Sequence, residues 1–477
     1  MDPADLGAVE AVARMRRGEL GAAEYAAALL ARCEAGRHLN AFLSLSAEQA
    51  LADARAADRR RASGRPLGPL HGLAIPVKDS VNTRDHPTTS GTPALRGFRP
   101  ADDAPVVRAL RDAGAIVLGK NNLAELSLGW TSTNAAFGAV RNPHDPARIP
   151  GGSSGGTAAA VAGGMAPLGL AEDTCGSIRV PAALCGIAGL RPTTFRYSPR
   201  GVMPLTPTFD TVGPHARAVA DLALFDSALT GDASELRPPR PADVRLGLSR
   251  THYFGGLDPE VARVVEAALG ALARAGVTMI EEDVADVGRL SDAANFPIIF
   301  HDSARMIARY LEEFETGVTL EALIAQASPA VRENLEARCR PGGRLWVDEE
   351  TYAAARDVHR PALQRTFRAH FCRTGVAAIA YPTTLVPATP IGDDQTVTIA
   401  GETVAFRTAM SRNIAPSSCA GLPCLVLPAG LTRDGLPVGL ELAGPAGTDR
   451  ELLALGRTLE EILGPPPAPV RRAVSAA

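Results

Sequence analysis

The stretch from residue 150 to residue 191 constrains the fold more than any other part of the chain, because clusters of glycine and serine alternate there with apolar runs. Glycine at this density destabilises regular helices and strands, and it permits unusual backbone dihedrals or the close approach of another group. The small residues at 157–162 predict a helix packed tightly against a neighbour. The first cluster places Ser153 and Ser154 between four glycines, Gly151, Gly152, Gly155 and Gly156.

A second serine, Ser177, lies 24 residues after Ser153. The apolar run at 166–171 predicts a strand, and the run at 178–184 predicts a helix that begins next to Ser177. A turn between a strand and a helix points successive backbone N–H groups into one small space, which suits an oxyanion or another anion. The segment at 173–177 is therefore a candidate oxyanion hole.

Two other interpretations of the first glycine cluster come from its pattern alone. A GGSSGG segment is typical of flexible linkers, but the apolar runs on both sides indicate a loop buried within a core. The same residues match the nucleophile elbow G-x-S-x-G, which requires a strand directly before it. Residues 142–150 contain three prolines and no strand pattern, which argues against the elbow.

Four segments carry a resemblance to known proteins that extends over nearly the whole chain, from about Leu20 onward. They are HGLAIPVKDS at 71–80, RNPHDPARIPGGSSGGTAAAVA at 141–162, EDTCGSIRVPAALCGIAGLRPT at 172–193 and AGLPCLVLPAG at 420–430. In these segments the sequence resembles the amidase signature family of Ser-Ser-Lys amide hydrolases. The central segments are highly specific for that family.

The resemblance implies roles for individual residues. Lys78 falls on the catalytic lysine, Ser153 on the serine that bridges lysine and nucleophile, and Ser177 on the nucleophile. The peptide bond from Gly152 to Ser153 would be cis. The resemblance also implies an oxyanion hole and an acyl pocket. Their residues would be Thr174, Cys175, Gly176 and Ser177 for the oxyanion hole, and Ser127, Leu128, Trp130 and Ser154 for the pocket.

Some of these residues also have a simpler interpretation. A lysine that follows an apolar strand, as Lys78 follows 70–77, is usually an exposed strand end, since lysine is rarely buried. Asp79 beside it could orient the lysine or cap the next turn. Trp130 fits an ordinary core equally well, because aromatic rings bury a large area wherever they lie. The segment before it, 122–128, predicts a helix.

Cys175 departs from the family, which usually has glycine at this position. The backbone donors of the loop would stay in place. The thiol would narrow the loop and could change which acyl groups fit.

The resemblance implies an α/β fold in which a large mixed sheet is sandwiched between layers of helices in a single compact domain. Within it, we expect a helical cover at 1–66, the catalytic domain at 67–464 and a loose tail at 465–477. A mainly helical insertion at about 286–374 would shape the substrate entrance. The turn-rich residues at 192–218 predict loops over the site.

Composition limits the remaining classes of function. The chain has 49 basic and 52 acidic residues, so nothing indicates a nucleic-acid or membrane-surface partner. Its apolar runs are too short and interrupted to span a bilayer, and acidic residues near the start argue against a signal peptide. Seven scattered cysteines without a C-x-x-C pair indicate reduced thiols in the cytoplasm, with no metal and no cofactor. No histidine lies beside either serine, although members of a Ser-His-Asp triad can be distant in sequence.

The implied mechanism needs a neutral lysine, and burial provides one because it disfavours the charged form. Neutral Lys78 would accept a proton through Ser153 while Ser177 attacks the amide carbonyl. Backbone N–H groups of 174–177 would hold the oxyanion, and each such donor can contribute about 2.7–4 kcal/mol. The relay would then protonate the leaving amine, and water would release the acid from Ser177.

The substrate prediction follows from residues 201–214, 435–442 and 448–450, which resemble the arylacetamide branch of the family, with its indoleacetamide and mandelamide hydrolases. A small amide with an aromatic or hydrophobic acyl group is the implied substrate, with a homodimer left open. One alternative is the glutamine-hydrolysing subunit of a tRNA-dependent amidotransferase. That branch typically has Gln after the S-I-R run, where this chain has Val180. A non-hydrolytic binding protein on an inactive copy of the fold is the other alternative, against which the retention of all three catalytic residues speaks.

Overall fold

A computed structural model describes residues 2–392, 394–465 and 468–469 of the chain. The strands are β1 Phe42–Leu45, β2 Ala74–Lys78, β3 Ile116–Asn121, β4 Thr133–Asn134, β5 Gly138–Ala139, β6 Leu168–Asp173, β7 Ala188–Arg191, β8 Thr211–Ala216, β9 Arg245–Leu248, β10 Thr278–Glu281, β11 Ala378–Pro382, β12 Thr396–Ile399, β13 Glu402–Ala405, β14 Cys424–Leu431 and β15 Pro437–Ala443.

Helices alternate with these strands along the chain. They are α1 Ala8–Arg17, α2 Ala22–Ala35, α3 Ala47–Ala62, α4 Pro105–Asp112, α5 Gly155–Ala162, α6 Arg179–Cys185, α7 Val219–Thr230, α8 Arg250–Tyr253, α9 Pro259–Arg274, α10 Val287–Glu313, α11 Leu320–Gln326, α12 Pro329–Cys339, α13 Glu349–Ala354, α14 Arg360–Thr374, α15 Phe406–Ser411, α16 Ala415–Ala420 and α17 Asp449–Leu463.

One mixed sheet of eleven strands organises the molecule, in the order β1-β3-β2-β6-β8-β7-β14-β15-β11-β9-β10. The pairs β2/β3 and β2/β6 are parallel, whereas β6/β8, β7/β8 and β14/β15 are antiparallel. Every residue of β2, β6 and β8 is buried, as expected for strands covered on both faces. The structure therefore confirms the predicted α/β fold with a large mixed sheet.

The amphipathic patterns predicted the peripheral helices well. The structure confirms helices at 219–230 and 449–463 with the predicted bounds. Asp258 caps α9, accepting a hydrogen bond from the backbone N–H of Glu260 at 2.8 Å. Five helices, α10 to α14, lie in the predicted helical region, and Pro297 lies within the longest of them, α10.

Three local predictions were wrong. Residues 192–218 are not only loops, because they contain β8, which pairs with β6 and β7 near the middle of the sheet. The helical cover at 1–66 also contains a strand, β1, which pairs with β3 at the sheet edge. Residues 122–128 hold only a single 3₁₀ turn at 125–127, because Leu126 and Ser127 have positive φ angles of 51° and 57°.

The N-terminal helices share one hydrophobic core with the sheet. Met15 of α1 and Leu29 of α2 are buried in the same cluster as Val77 of β2 and Leu170 of β6. The boundary predicted at residue 66 therefore separates a cover that is continuous with the core, and the division into parts stays a prediction. Most of the predicted loose tail at 465–477 lies outside the described residues. No helix in the described ranges has the length and apolar character that a membrane crossing requires.

Candidate active site

The loop from β6 to α6 is shaped by the carboxylate of Asp173, the last residue of β6. Asp173 accepts hydrogen bonds from the backbone N–H groups of Gly176, at 2.8 Å, and Ile178, at 3.0 Å. Gly176 has a φ of +93°, and a Cβ at this position would lie 1.9 Å from Ile414 Cδ1. Only glycine fits there, so the loop places Ser177 directly before α6, as the strand–turn–helix pattern predicted.

Two buried arginines hold Asp173 in place. Arg179 Nε and Arg191 Nη1 lie 3.1 Å and 2.8 Å from its carboxylate oxygens. Burial alone would raise the pKa of Asp173, but the charges of Arg179 and Arg191 outweigh it and hold that pKa well below its usual range. Arg179 also pairs with Glu441 of β15 at 2.7 Å, which fixes the loop to a strand on the other side of the sheet centre.

The segment before α5 brings Ser153 to the same region. The peptide bond between Gly152 and Ser153 is cis, as the family resemblance implied. The carbonyl of Ser153 accepts hydrogen bonds from Ala124 N, at 3.1 Å, and Ser132 Oγ, at 3.2 Å. The preceding residues form a loop, which agrees with the argument against a nucleophile elbow.

Lys78 lies at the end of β2, and its side chain is completely buried. Its Nζ donates hydrogen bonds to Ser153 Oγ and to Glu172 Oε1, each at 2.6 Å. Burial lowers the pKa of Lys78, and the carboxylate of Glu172 partly opposes that shift. The exposed strand end that the local pattern suggested is therefore wrong, and the buried lysine implied by the resemblance is what the structure has.

Glu172 is the site residue that the sequence analysis missed. Besides Lys78, it accepts a hydrogen bond from Ser127 Oγ at 2.5 Å and a longer one from Ser80 Oγ at 3.5 Å. The signal was present in the sequence, because an acidic residue at the end of a buried apolar strand requires a cation or several donors.

Asp79, which the sequence offered as a partner of Lys78, serves another lysine. Its carboxylate lies 3.1 Å from Lys120 Nζ and accepts a hydrogen bond from Thr89 N at 2.9 Å. Lys120 is as completely buried as Lys78. The two neighbouring acidic and basic residues at 78 and 79 therefore belong to separate buried ion pairs.

Ser177 opens onto a cavity of about 450 Å³. The oxyanion-loop residues Thr174 and Cys175 and the predicted pocket residues Ser127, Leu128 and Trp130 share this cavity. Ser154 does not line it. Its hydroxyl donates to the carbonyl of Glu172 at 3.1 Å and its N–H to the carbonyl of Ser177 at 3.3 Å, so Ser154 joins the two serine segments from below.

An aromatic wall borders this cavity. Trp130 meets Phe296 edge to face, with ring centroids 6.5 Å apart, and Phe300 follows Phe296 one turn later on α10. The indole Nε1 of Trp130 donates to the carbonyl of Cys175 at 2.8 Å. The aromatic wall is thereby linked to the oxyanion loop, and α10 and α12 supply much of the remaining lining.

A second, smaller cavity of about 250 Å³ lies on the other side of Glu172 and is also lined by Asp210. Asp210 accepts a hydrogen bond from Thr174 Oγ1 at 2.6 Å. Burial raises the pKa of Asp210 to about 7. Among the residues described, no group of three His, Cys, Asp or Glu side chains is arranged to hold a metal ion.

Comparison with known proteins gives one consistent result. The model of the Amidase family matches residues 24–453. An indoleacetamide hydrolase of Agrobacterium vitis is 39% identical over 451 residues, which are 94% of this chain and 95% of the relative. A mandelamide hydrolase of Pseudomonas putida is 38% identical and covers 98% of this chain, with 94% of its own length matched.

A solved structure agrees with these relatives. The peptide amidase of Stenotrophomonas maltophilia superposes with a TM-score of 0.84 at 30% identity, over 98% of this chain and 99% of that one. The relatives named here are hydrolases. They favour the predicted hydrolase over an amidotransferase subunit or a non-hydrolytic binding protein.

Proposed function

Since the chain belongs to the amidase signature family and is an amidase, we propose that it cleaves small aromatic carboxamides to the carboxylic acid and ammonia, through an acyl-enzyme on Ser177. The observation that carries this proposal is the 2.6 Å hydrogen bond between Lys78 Nζ and Ser153 Oγ. A buried lysine with a lowered pKa can be neutral at ordinary pH, and a neutral amine can take a proton from the hydroxyl beside it.

The reaction begins when Ser177 Oγ attacks the amide carbonyl. The proton of Ser177 passes to Ser153 Oγ, whose own proton passes to Lys78 Nζ. The carbonyl oxygen becomes an oxyanion, for which the backbone N–H groups of the 174–177 loop are the proposed donors. As the C–N bond breaks, the protons return along the same path and the leaving nitrogen departs as ammonia.

Water then attacks the acyl ester on Ser177 with Lys78 and Ser153 again accepting the proton. The C–O bond to Ser177 breaks, the serine recovers its proton, and the acid leaves. Glu172 holds the lysine against Ser153 throughout, because both hydrogen bonds of Lys78 Nζ are short.

The aromatic acyl group is inferred from the cavity and from the relatives. Trp130, Phe296 and Phe300 offer ring faces and edges to a flat apolar group, and aromatic pairs contribute about 0.5–1.5 kcal/mol beyond burial of area. The two relatives are named for amides of aryl acids. We assign Ser127, Leu128 and Trp130 to the acyl pocket, and Ser154 to its support.

The setting of the enzyme is also proposed. All seven cysteines are free thiols, which suits the cytoplasm. The near balance of acidic and basic residues gives no reason to expect a nucleic-acid or membrane partner. A homodimer stays a prediction, which light scattering of the purified protein would test.

The test is release of ammonia and acid from a panel of indole-3-acetamide, mandelamide, phenylacetamide, benzamide, a fatty amide and glutamine. We expect turnover of at least one aromatic amide by the native enzyme and its loss in Ser177→Ala. Turnover of glutamine alone would move the assignment to an amidotransferase subunit. No turnover together with no labelling of Ser177 by a fluorophosphonate would identify a binding protein.

A further inference from the structure

A buried guanidinium without a carboxylate partner lies in the wall of the same cavity as Ser177. Arg338, in the last turn of α12, is 8% exposed and lines the cavity. Its Nη1 donates to Ser303 Oγ at 2.5 Å, while its Nε is buried without a hydrogen-bond partner. Within the described parts of the chain, no acidic side chain forms an ion pair with it.

The molecule itself shows what a buried arginine normally has. Arg179 is fully buried too, but it pairs with Asp173 and Glu441, and these charges raise its pKa against the effect of burial. Burial lowers the pKa of Arg338 to about 10. A buried charge that lacks its partner is unfavourable, so Arg338 is prepared for an anion that enters the cavity.

A second unsatisfied group lies one helical turn before it. Asn334 also lines the cavity, and its Oδ1 is buried without a partner. Residues four apart share a face of a helix, so Asn334 and Arg338 present their polar ends from the same side of α12. Rotation of the Asn334 amide by half a turn would offer its N–H₂ group instead of its oxygen.

The local contacts of Arg338 explain its position but not its free donors. Its guanidinium lies over the ring of Phe300, 5.0 Å from the ring centre, and this contact with Ser303 and Phe300 joins α12 to α10. A purely structural link would use the forked donors within the protein. Here Nε is left without an acceptor in a wall that faces the substrate cavity.

We propose that Arg338 and Asn334 form a carboxylate-binding subsite, so that the preferred substrates are aryl amides whose ring carries a carboxylate at the end remote from the amide. The inference rests on the proposed function, because it assigns the remote end of the acyl group to this cavity. The aromatic wall would hold the ring while the guanidinium fork binds both carboxylate oxygens, the geometry that arginine provides better than lysine.

The test separates binding from turnover by using Ser177→Ala, which retains substrate. Calorimetry would compare 3- and 4-carboxyphenylacetamide with the neutral 3- and 4-nitrophenylacetamide, which have nearly the same shape. We expect one carboxylate to bind about tenfold or more tightly than its nitro analogue, as a charge-assisted hydrogen bond implies. Adding Arg338→Met should abolish this preference, and Arg338→Lys should leave only part of it.

The matched control is Arg340→Met, which removes an exposed arginine two residues away and should preserve the preference. Equal binding of carboxylate and nitro amides by Ser177→Ala would overturn the inference, as would a preference that survives Arg338→Met. If the methionine variant does not fold, the lysine variant decides, because an undiminished preference there also overturns the inference. Failure of the native enzyme to hydrolyse phenylacetamide would count against the proposed function alone, since binding is measured without turnover.

Discussion

Lys78 Nζ and Glu172 Oε1 lie 2.6 Å apart in the interior, with the lysine side chain fully buried and the glutamate 5% exposed. The pair joins the ends of two neighbouring parallel strands, β2 and β6, which are held in register by Val77 and Leu170. Burial lowers the pKa of Lys78, whereas the carboxylate raises it. Glu172 therefore positions the proposed base and also makes it more difficult to deprotonate.

Glu172→Gln should move the acidic limb of the profile of kcat/KM against pH to lower pH. The amide keeps an acceptor for Lys78 but removes the negative charge that stabilises the protonated amine. The pKa of Lys78 should then fall further, so that the neutral lysine is present at lower pH. The measurement is kcat/KM for one aromatic amide across the pH range in which the enzyme stays folded.

Glu460→Gln is the control for this profile, because Glu460 is a partly buried carboxylate that accepts a hydrogen bond from Val219 N, away from the site. Its profile should match that of the native enzyme. An acidic limb that stays in place or moves to higher pH in Glu172→Gln would show that Lys78 is not the group that titrates.

Lys78→Met and Ser153→Ala should fail to add. Because the two residues form one path for one proton, each change alone should lower kcat by at least about 10³-fold, and the double variant should be within about tenfold of either single variant. Lys120→Met removes another fully buried lysine, paired with Asp79, and should reduce stability while kcat stays far above that of Lys78→Met. Multiplicative losses in the double variant would contradict a shared path.

The sequence predicted those parts of the fold whose signal is local. The apolar faces of α7 and α17 and the cap of α9 were enough to give their bounds. β8 gave no such signal, since glycine, proline and histidine follow one another at 213–215. It is a strand because β6 and β7 pair with it on either side, an effect of residues far away in the sequence.

The site divides in the same way. The motifs marked Lys78, Ser153 and Ser177, but no pattern within β6 told which lysine Glu172 would meet. The segment at 122–128 has the composition of a helix, yet Ser127 turns out of helical geometry and donates to Glu172. Contacts between residues about 45 and 94 positions apart decide both points, and spacing along the chain does not reveal them.

Asp173→Asn should strongly destabilise the fold. It leaves Arg179 and Arg191 without part of their negative counter-charge in the interior, and breaking a buried pair costs about 3–5 kcal/mol. The pKa of Asp173 is held below its ordinary value, so its contribution to stability is present above that value and is lost only in strong acid. Urea denaturation at pH 7 and pH 5 should therefore show a similar loss.

Asp243→Asn is the control for that experiment, since Asp243 pairs with Arg240 on the surface. Exposed pairs contribute little to stability, and this variant should unfold with the native protein. A loss in Asp173→Asn no greater than in Asp243→Asn would mean that the buried arginines find other partners.

Asp210→Asn should remove a dependence of stability on pH. Burial raises the pKa of Asp210 from its ordinary 3.8 to about 7, so the folded protein keeps a proton that the unfolded chain releases. Native stability should accordingly fall between about pH 4 and pH 7 by the order of 4 kcal/mol relative to the variant, at 1.36 kcal/mol per pKa unit. Denaturation of both proteins across this range measures the difference, and parallel curves would refute the raised pKa.

Cys175→Gly should widen the range of acyl groups that the enzyme accepts. The thiol lines the cavity, where its Sγ accepts a hydrogen bond from Asn295 Nδ2 at 3.5 Å. Its removal frees space beside the proposed oxyanion hole without touching any backbone donor. The ratio of kcat/KM for 1-naphthylacetamide to that for phenylacetamide should therefore rise about tenfold or more, since methylene-sized changes in a pocket are worth about 10–200-fold in selectivity.

Cys419→Ala is the control for Cys175→Gly, because Cys419 is equally buried but does not line the cavity. It should keep the native ratio. Burial raises the pKa of the Cys175 thiol to about 11, so iodoacetamide at pH 8 should inactivate the native enzyme slowly, since only the thiolate reacts. An unchanged ratio in Cys175→Gly would show that the aromatic wall, not the thiol, sets the size of the acyl group.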